Sequence, residues 1–409
     1  MLVYKVKKSK LEEVKSIDYK GKGEEYFRNA IGLEQIQVKT IETVFADLKS
    51  KLNNVKKDFD KMSDKERKNY NKCVSVVENT SQLKGQDGRI AKEYNGEIIT
   101  NAWLKMYELL SFCDSMFQLK AKKNAPLRTM HFAEAPGNFI LAFNHKLSSE
   151  YPQIEWVWNA NSYISDSESI YLSDNYNLIK NYPDRWKYGA ECNGDITRIS
   201  NIRDFSTLEK YDVVTSDVKF APPEMNYDEE ENCNSAVQLG QVLCALATLA
   251  TGGIAILKFL SIYESATQSM IALLSQHFEK VYLTKPLTSK SQNSEIYIVG
   301  VNFTGLHIQN YNHALTILDY YSTLPINSIK PSLFVSLSYD FIESLRLFST
   351  YITEKQIASI KSTIKIFRSS DISNIILQHA DQNSTFSSYW LSLYKISPLP
   401  LHKILGANT

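Results

Sequence analysis

Lys105, Asp217, Lys258 and Glu295 are two amines and two carboxylates, each placed at the end of a recognisable element of this chain. Such a set handles protons: an amine can take up the proton of a hydroxyl nucleophile or stabilise the alkoxide that develops, while carboxylates fix its position. Taken singly, each residue has a plainer explanation. Lys105 can be a solvated helix lysine, Asp217 a helix cap, Lys258 a side chain snorkelling to water and Glu295 an edge-strand charge. What favours chemistry is the expected convergence of Asp217, Lys258 and Glu295 on one edge of one sheet.

That edge follows from the elements between residues 96 and 305, where short β-like runs alternate with helical segments, the pattern of a parallel sheet covered by helices. Residues 129–133 read as a strand that ends in the loop Glu134-Ala135-Pro136-Gly137-Asn138, and a helix follows over 139–146. In an open α/β sheet, ligands collect at the carboxyl ends of strands, and glycine there lets backbone approach them closely. A second strand, 154–158, ends in Asn159-Ala160-Asn161-Ser162, whose amides and hydroxyl could meet a ribose. Gly194-Asp195 is a turn whose carboxylate could accept a hydrogen bond from an adenine amino group, although Gly-Asp is also a common plain turn.

The valine-rich strand 211–216 ends at Asp217. A helix over 236–250, a turn at Gly252-Gly253 and a strand over 254–259 follow, with Lys258 at the carboxyl end of the last. A lysine there is costly to bury unpaired, and Asp217, on the neighbouring strand, is its natural partner. Strands 281–284 and 294–303 flank a short loop rich in Lys, Ser, Thr and Pro, so the last strand should run antiparallel. The start of an antiparallel strand lies on the same edge as the carboxyl ends of its parallel neighbours, which brings Glu295 to Asp217 and Lys258.

Composition narrows the class without naming the chemistry. The chain has 409 residues, 43% hydrophobic and 22% charged, with a formal net charge of +1. It therefore lacks a global field for attracting a polyanion, and nucleic-acid contact must come from local patches. Its five cysteines are scattered without CxxC spacing, which argues against a disulfide framework or zinc site and for a reducing compartment. The histidines form no ligand spacing, so no metal is expected. No signal peptide is visible at the lysine-rich start, and the apolar run 242–259 is broken at Thr251-Gly252-Gly253, so it reads as buried helix, turn and strand rather than a membrane span. Residues 1–95 read as mainly helical. Their stretch 49–72 carries nine Lys or Arg against four Asp or Glu, which a solvated helical face or contact with RNA phosphates would explain. Residues 306–409 also read as helical, with apolar residues at helical spacing over 334–352 and 357–367.

The run Glu134-Ala135-Pro136-Gly137-Asn138-Phe139, the Gly194-Asp195 turn, Ser216-Asp217, Gly252-Gly253 with Lys258, and Lys285-Pro286 through Ser294-Glu295-Ile296-Tyr297 resemble, in order, the FtsJ-like (RrmJ-type) ribose 2′-O-methyltransferases. The segment Asn101-Ala102-Trp103-Leu104-Lys105-Met106-Tyr107-Glu108 resembles the helix that gives this family its first catalytic lysine. The similarity is greatest to FtsJ-like proteins of large cytoplasmic DNA viruses and extends to cap-specific enzymes. It implies an α/β, Rossmann-like methyltransferase core over 96–305, mostly parallel with one antiparallel strand, between mainly helical regions 1–95 and 306–409. It implies S-adenosylmethionine as cofactor, held by Glu134, Ala135, Pro136, Gly137, Asn138, Phe139, Asp195 and Asp217. Lys105, Asp217, Lys258 and Glu295 would be catalytic, with RNA as substrate and the mRNA cap as the leading target. The 285–293 loop overhangs this place, so Lys285, Ser289 and Lys290 are expected to meet RNA.

Two departures concern the cofactor loop. Ala133 stands where many methyltransferases have glycine, and Pro136-Gly137-Asn138 where the family often has Pro-Gly-Gly; asparagine tolerates left-handed backbone better than most residues. Two other functions stay open at this point: methylation of ribosomal or transfer RNA, and an inactive RNA-binding or virion component. Other capping or virion proteins could dock on the helical flanks, and the expected setting is the host cytoplasm or the virion, with no membrane.

Overall fold

The computed structural model describes residues 1–8, 35–77, 80–164, 173–220, 228–369 and 372–406. Seven strands form one sheet: β1 (Leu2–Lys5), β2 (Leu127–Phe132), β3 (Trp156–Ala160), β4 (Tyr211–Ser216), β5 (Leu249–Phe259), β6 (Phe278–Lys285) and β7 (Ile296–Phe303), in the order β1-β6-β7-β5-β4-β2-β3. β3, β2, β4 and β5 are parallel neighbours, and β7 runs antiparallel between β5 and β6. This is the mostly parallel α/β sheet with the expected inversion at its last strand.

Strand alternation sorts side chains onto the two faces. Ala255 and Leu257 join one core with the helices Glu230–Thr248, Ser265–His277, Ile308–Thr323 and Tyr339–Phe367. Ile254, Ile256, Tyr297 and Val299 join the other, with the helices Asn101–Phe112 and Asn138–Glu150 and with Trp390 of the helix Ile372–Tyr394. The C-terminal helices thus cover both faces of the sheet. The expected apolar runs 334–352 and 357–367 fall largely on the single helix Tyr339–Phe367, with 334–338 leading into it. Among the described residues, no helix is long and apolar enough to cross a membrane.

Three features differ from the sequence reading. β3 spans Trp156–Ala160, so Asn159 and Ala160, read as loop, lie in the strand. β1, in a region read as helical, is an edge strand pairing antiparallel with β6 from Leu2↔Lys285 to Lys5↔Tyr282; a four-residue strand whose partner lies at the far side of the core gives no local signal. Residues 9–34 of that region lie outside the described ones. Gly252-Gly253 is not a turn between elements but a bulge inside β5: Tyr211 pairs with Leu249 and Val213 with Ile254, so β5 advances five residues while β4 advances two, with Gly252 at φ +84°.

Gly300 marks how tightly β7 is packed, since a Cβ there would meet the Phe278 ring at 2.8 Å. Gly300→Ala should destabilise the chain by about 1–3 kcal/mol in urea unfolding, and Phe278→Leu in the same chain should recover part of that loss. Additive losses in the double variant would show that the ring is not the obstacle.

Candidate active site

The alternation that fills the core also builds the site. On β5 the face holding Ile254 and Ile256 continues to Lys258, and on β7 the face holding Tyr297 and Val299 continues back to Glu295. On β4, Val213 is followed on that face by Thr215 and, just past the strand, by Asp217. Against this face lies the helix Asn101–Phe112, started by Thr100, whose side chain accepts from the Trp103 N–H at 3.2 Å. This helix carries Lys105.

The structure therefore brings all four residues together as two ion pairs. Lys105 Nζ reaches Glu295 Oε1 at 2.7 Å and Oε2 at 2.8 Å. Lys258 Nζ reaches Asp217 Oδ1 at 2.9 Å and the Asp217 carbonyl at 2.6 Å. Both pairs are secluded: side-chain exposure is 10% and 12% for Lys105 and Glu295, and 8% and 24% for Lys258 and Asp217. Removing one partner from a pair this buried costs about 3–5 kcal/mol, against about 0–1 kcal/mol at a surface, so the charges constrain one another's positions. Burial pushes the Glu295 carboxyl up, but Lys105, Lys258 and Lys285 together outweigh it and hold it below its ordinary value.

Tyr297 joins the pairs. Its hydroxyl donates to Asp217 Oδ1 at 3.3 Å and its ring lies 5.7 Å from Lys105 Nζ. Burial, with Asp217 and Glu295 nearby, raises its phenol well above the usual value, so it stays a donor. Sequence reasoning gave Tyr297 no role, although its place two residues after Glu295 puts both on one face. Glu108, one helical turn after Lys105, was likewise unassigned.

A second cluster sits at the carboxyl ends of β2 and β3. Ala133 is left-handed at φ 53° and Gly137 at φ 118°, whereas Asn138 opens the helix Asn138–Glu150. The backbone strain expected of Asn138 falls instead on Ala133, where glycine would be free of it. Asn138 Oδ1 accepts from Thr100 Oγ1 at 2.6 Å and Tyr176 OH at 3.1 Å, which ties the loop to the helix of Lys105. Glu134 is buried and accepts from Phe139 N at 2.7 Å and Ile140 N at 3.1 Å, so its carboxylate caps that helix; burial raises its carboxyl well above the ordinary value. Ser162 Oγ accepts from Ala135 N at 2.7 Å, and Asn161 Nδ2 donates to Gly194 O at 3.2 Å. Gly194 must be glycine, because a Cβ would stand 1.9 Å from the Ser162 carbonyl oxygen. Asp195 turns back on Thr197, accepting from its N–H at 2.8 Å and hydroxyl at 2.7 Å, with one flank open to solvent.

Of the loop residues expected to meet RNA, Lys285 and Ser289 face Glu295. Lys285 Nζ donates to Glu295 O at 2.7 Å and Asn293 Oδ1 at 2.9 Å, and Ser289 Oγ donates to Glu295 Oε1 at 3.1 Å. Lys290 lies half-buried on the same loop. In the basic stretch 49–72, Lys49 pairs with Glu264 at 2.6 Å, and Leu52 and Tyr70, with Val74 just after it, pack against Ile360 and Ile364.

A strand–loop–helix edge of the Rossmann type thus stands beside two paired lysines and carboxylates. The family model for FtsJ-like methyltransferase matches residues 98–303, half of the chain, and the chain belongs to that family. It is 30% identical over 333 residues, covering 78% of this chain and 74% of the relative, to "Probable methyltransferase EP424R" of African swine fever virus (isolate Pig/Kenya/KEN-50/1950). It is 28% identical over 331 residues to "Cap-specific mRNA (nucleoside-2'-O-)-methyltransferase 2" of Mus musculus, covering 79% of this chain and 42% of that one. "Uncharacterized protein L511" of Acanthamoeba polyphaga mimivirus is 32% identical over 236 residues, 56% of this chain and 29% of that one. The match thus spans less than half the length of the mouse and mimivirus relatives.

The methyl donor is S-adenosylmethionine, and the residues at this edge fit it. Left-handed backbone at Ala133 and Gly137 lets the loop approach a ligand, Asp195 and Asp217 are partly open acceptors, and Asn161 Oδ1 and Ser216 Oγ are buried without a protein partner among the described residues.

Two substitutions probe this half of the site. Ala133→Gly should leave stability unchanged or raise it by up to about 1 kcal/mol in chemical unfolding, because glycine removes the left-handed strain; a clear loss would contradict the left-handed backbone. Glu134 has a folded value above its unfolded one, so its contribution is fully present at acid pH and is lost as pH rises through the raised value. Glu134→Gln lacks that loss and should gain in stability on the wild type as the pH is raised from 4 to 8. A difference independent of pH would contradict the shift.

Proposed function

We propose that this protein transfers a methyl group from S-adenosylmethionine to a ribose 2′-hydroxyl of RNA, with the mRNA cap (cap-1 type) as its target. One observation carries the reading: the two buried ion pairs Lys105–Glu295 and Lys258–Asp217 meet at the carboxyl edge of the sheet, beside the cofactor loop. The cap as target is supported by the name of the mouse relative. The host cytoplasm as setting is supported by the viral ones. Residues 96–305 would be the methyltransferase domain, with 1–95 and 306–409 as flanks on which other capping or virion proteins could dock.

When bound, S-adenosylmethionine supplies an electrophilic methyl group; the chain supplies position and charge. A lysine Nζ offers three hydrogen-bonding directions, and the two oxygens of Asp217 occupy two of those on Lys258, leaving the third for the ribose oxygen. As a neutral amine Lys258 would take up the hydroxyl proton on its lone pair; as an ammonium it would instead donate to the developing alkoxide, the proton leaving to solvent. Tyr297 and Lys258 share Asp217, and Lys105 holds Glu295, so the oxygen acceptors around Lys258 stay fixed while the proton moves. The 285–293 loop, with Lys285, Ser289 and Lys290, lies over the Lys105–Glu295 pair, and its contact with RNA belongs to the same proposal.

Labelled methyl transfer to capped and uncapped RNA of one sequence, by the wild type, Lys258→Ala and Lys258→Arg, tests the reading. Transfer should be confined to capped RNA. Alanine should lower kcat by about 10²–10⁴-fold, and arginine should not rescue it, because a guanidinium keeps its proton. Transfer to both RNAs alike would redirect the target to other RNA. Absence of transfer together with absence of cofactor binding would replace the enzyme by a structural component.

A further inference from the structure

Glu108 has no exposed surface, and its five partners are neutral donors. Leu287 N at 2.6 Å and Tyr394 OH at 3.2 Å donate to Oε2; Thr288 N at 2.9 Å, Thr288 Oγ1 at 2.6 Å and Trp390 Nε1 at 3.1 Å donate to Oε1. A carboxylate has about four lone-pair sites, so these donors saturate it. Burying a carboxylate for packing alone is unfavourable against an apolar residue of the same size. What the charge adds is convergence: the helix Asn101–Phe112, the 285–293 loop and the helix Ile372–Tyr394 all meet at these two oxygens.

The convergence bears on the ion pairs. Lys105 stands three residues before Glu108, on the same side of the helix. Ser289, next to Thr288, donates to Glu295 Oε1, which Lys105 also holds. The loop is therefore pinned to one helix at two points, through Thr288 on Glu108 and through Glu295 on Lys105, with Ser289 closing the ring. Displacing Thr288 carries Ser289 off Glu295.

We infer that Glu108 is a positioning residue for the Lys105–Glu295 pair and that, through Trp390 and Tyr394, it makes the C-terminal helix part of the active centre, an inference that rests on the methyl-transfer reading above. The test uses the full chain with Glu108→Gln, Trp390→Phe, Tyr394→Phe and the double variant of the first two. Glutamine keeps the volume but turns one acceptor into a donor facing an N–H. In Glu108→Gln, kcat should fall by about tenfold to a hundredfold, as expected when reacting groups shift by up to an ångström, while the Kd for S-adenosylmethionine stays within about twofold because the cofactor loop is elsewhere. The amides of Leu287 and Thr288 should exchange hydrogen faster, and Trp390→Phe should add little to Glu108→Gln. An unchanged kcat, or a kcat that falls only together with cofactor affinity and Tm, would overturn the inference. A wild type that methylates no RNA would sink the functional reading instead, and amide exchange in Trp390→Phe and Tyr394→Phe would then decide the coupling by itself.

Discussion

A buried carboxylate gripping two consecutive backbone N–H groups is the device on which the loops of the catalytic edge depend. Glu134 holds Phe139 and Ile140, Glu108 holds Leu287 and Thr288, and Glu231 holds Tyr263 and Glu264. Each amide pair opens a helix or turns a loop directly after a strand, where it has no ladder partner. Left unpaired and buried, an amide costs about 1–3 kcal/mol, so each glutamate removes a penalty comparable to a large share of the net stability of a domain. A neutral amide acceptor would satisfy fewer donors. Burial raises Glu134 and Glu231 above their ordinary values, the counterpart of taking a charge out of water to hold backbone in place.

The ion pairs obey the same constraint with the signs completed. Lys105 and Lys258 are nearly enclosed, and an enclosed ammonium needs an acid within reach. The sheet provides one for each by different routes. Asp217 comes from the adjacent parallel strand, whereas Glu295 comes from a strand that runs the other way, so its beginning lies where its neighbours end. Had β7 been parallel, Glu295 would stand at the opposite edge, a strand length away, and Lys105 would face the 285–293 loop without a carboxylate. The inversion is thus a requirement of the charge pairing as well as a feature of topology.

Most of this was legible because it is periodic or local. Short apolar runs bounded by turn signals give β4 and β5, loop length gives the inverted β7, and from those the convergence of Asp217, Lys258 and Glu295 follows by geometry. Lys105 was legible only by resemblance, since a lysine on an amphipathic helix carries no local mark of its partner 190 residues away. β1 was hidden for the same reason, as its pairing is entirely long-range. The glycine pair at 252–253 read as a turn because a bulge and a turn use the same backbone freedom. Glu108 resembled any helix glutamate, and its partners lie in two distant segments.

The departures in the cofactor loop bear on whether a catalyst or a scaffold has been built. Left-handed backbone at a residue with a Cβ costs roughly 1–2 kcal/mol and persists only where its surroundings enforce it. Here they do: before Ala133, Phe132 O accepts from Asp217 N at 3.4 Å, and after it Glu134 N donates to Asn161 O at 2.9 Å, so the residues on both sides of Ala133 are held. A scaffold with no ligand at this edge would gain by letting the turn relax or by substituting glycine. Keeping the turn while enclosing four charges beside it makes physical sense when the free energy of a bound ligand offsets the strain.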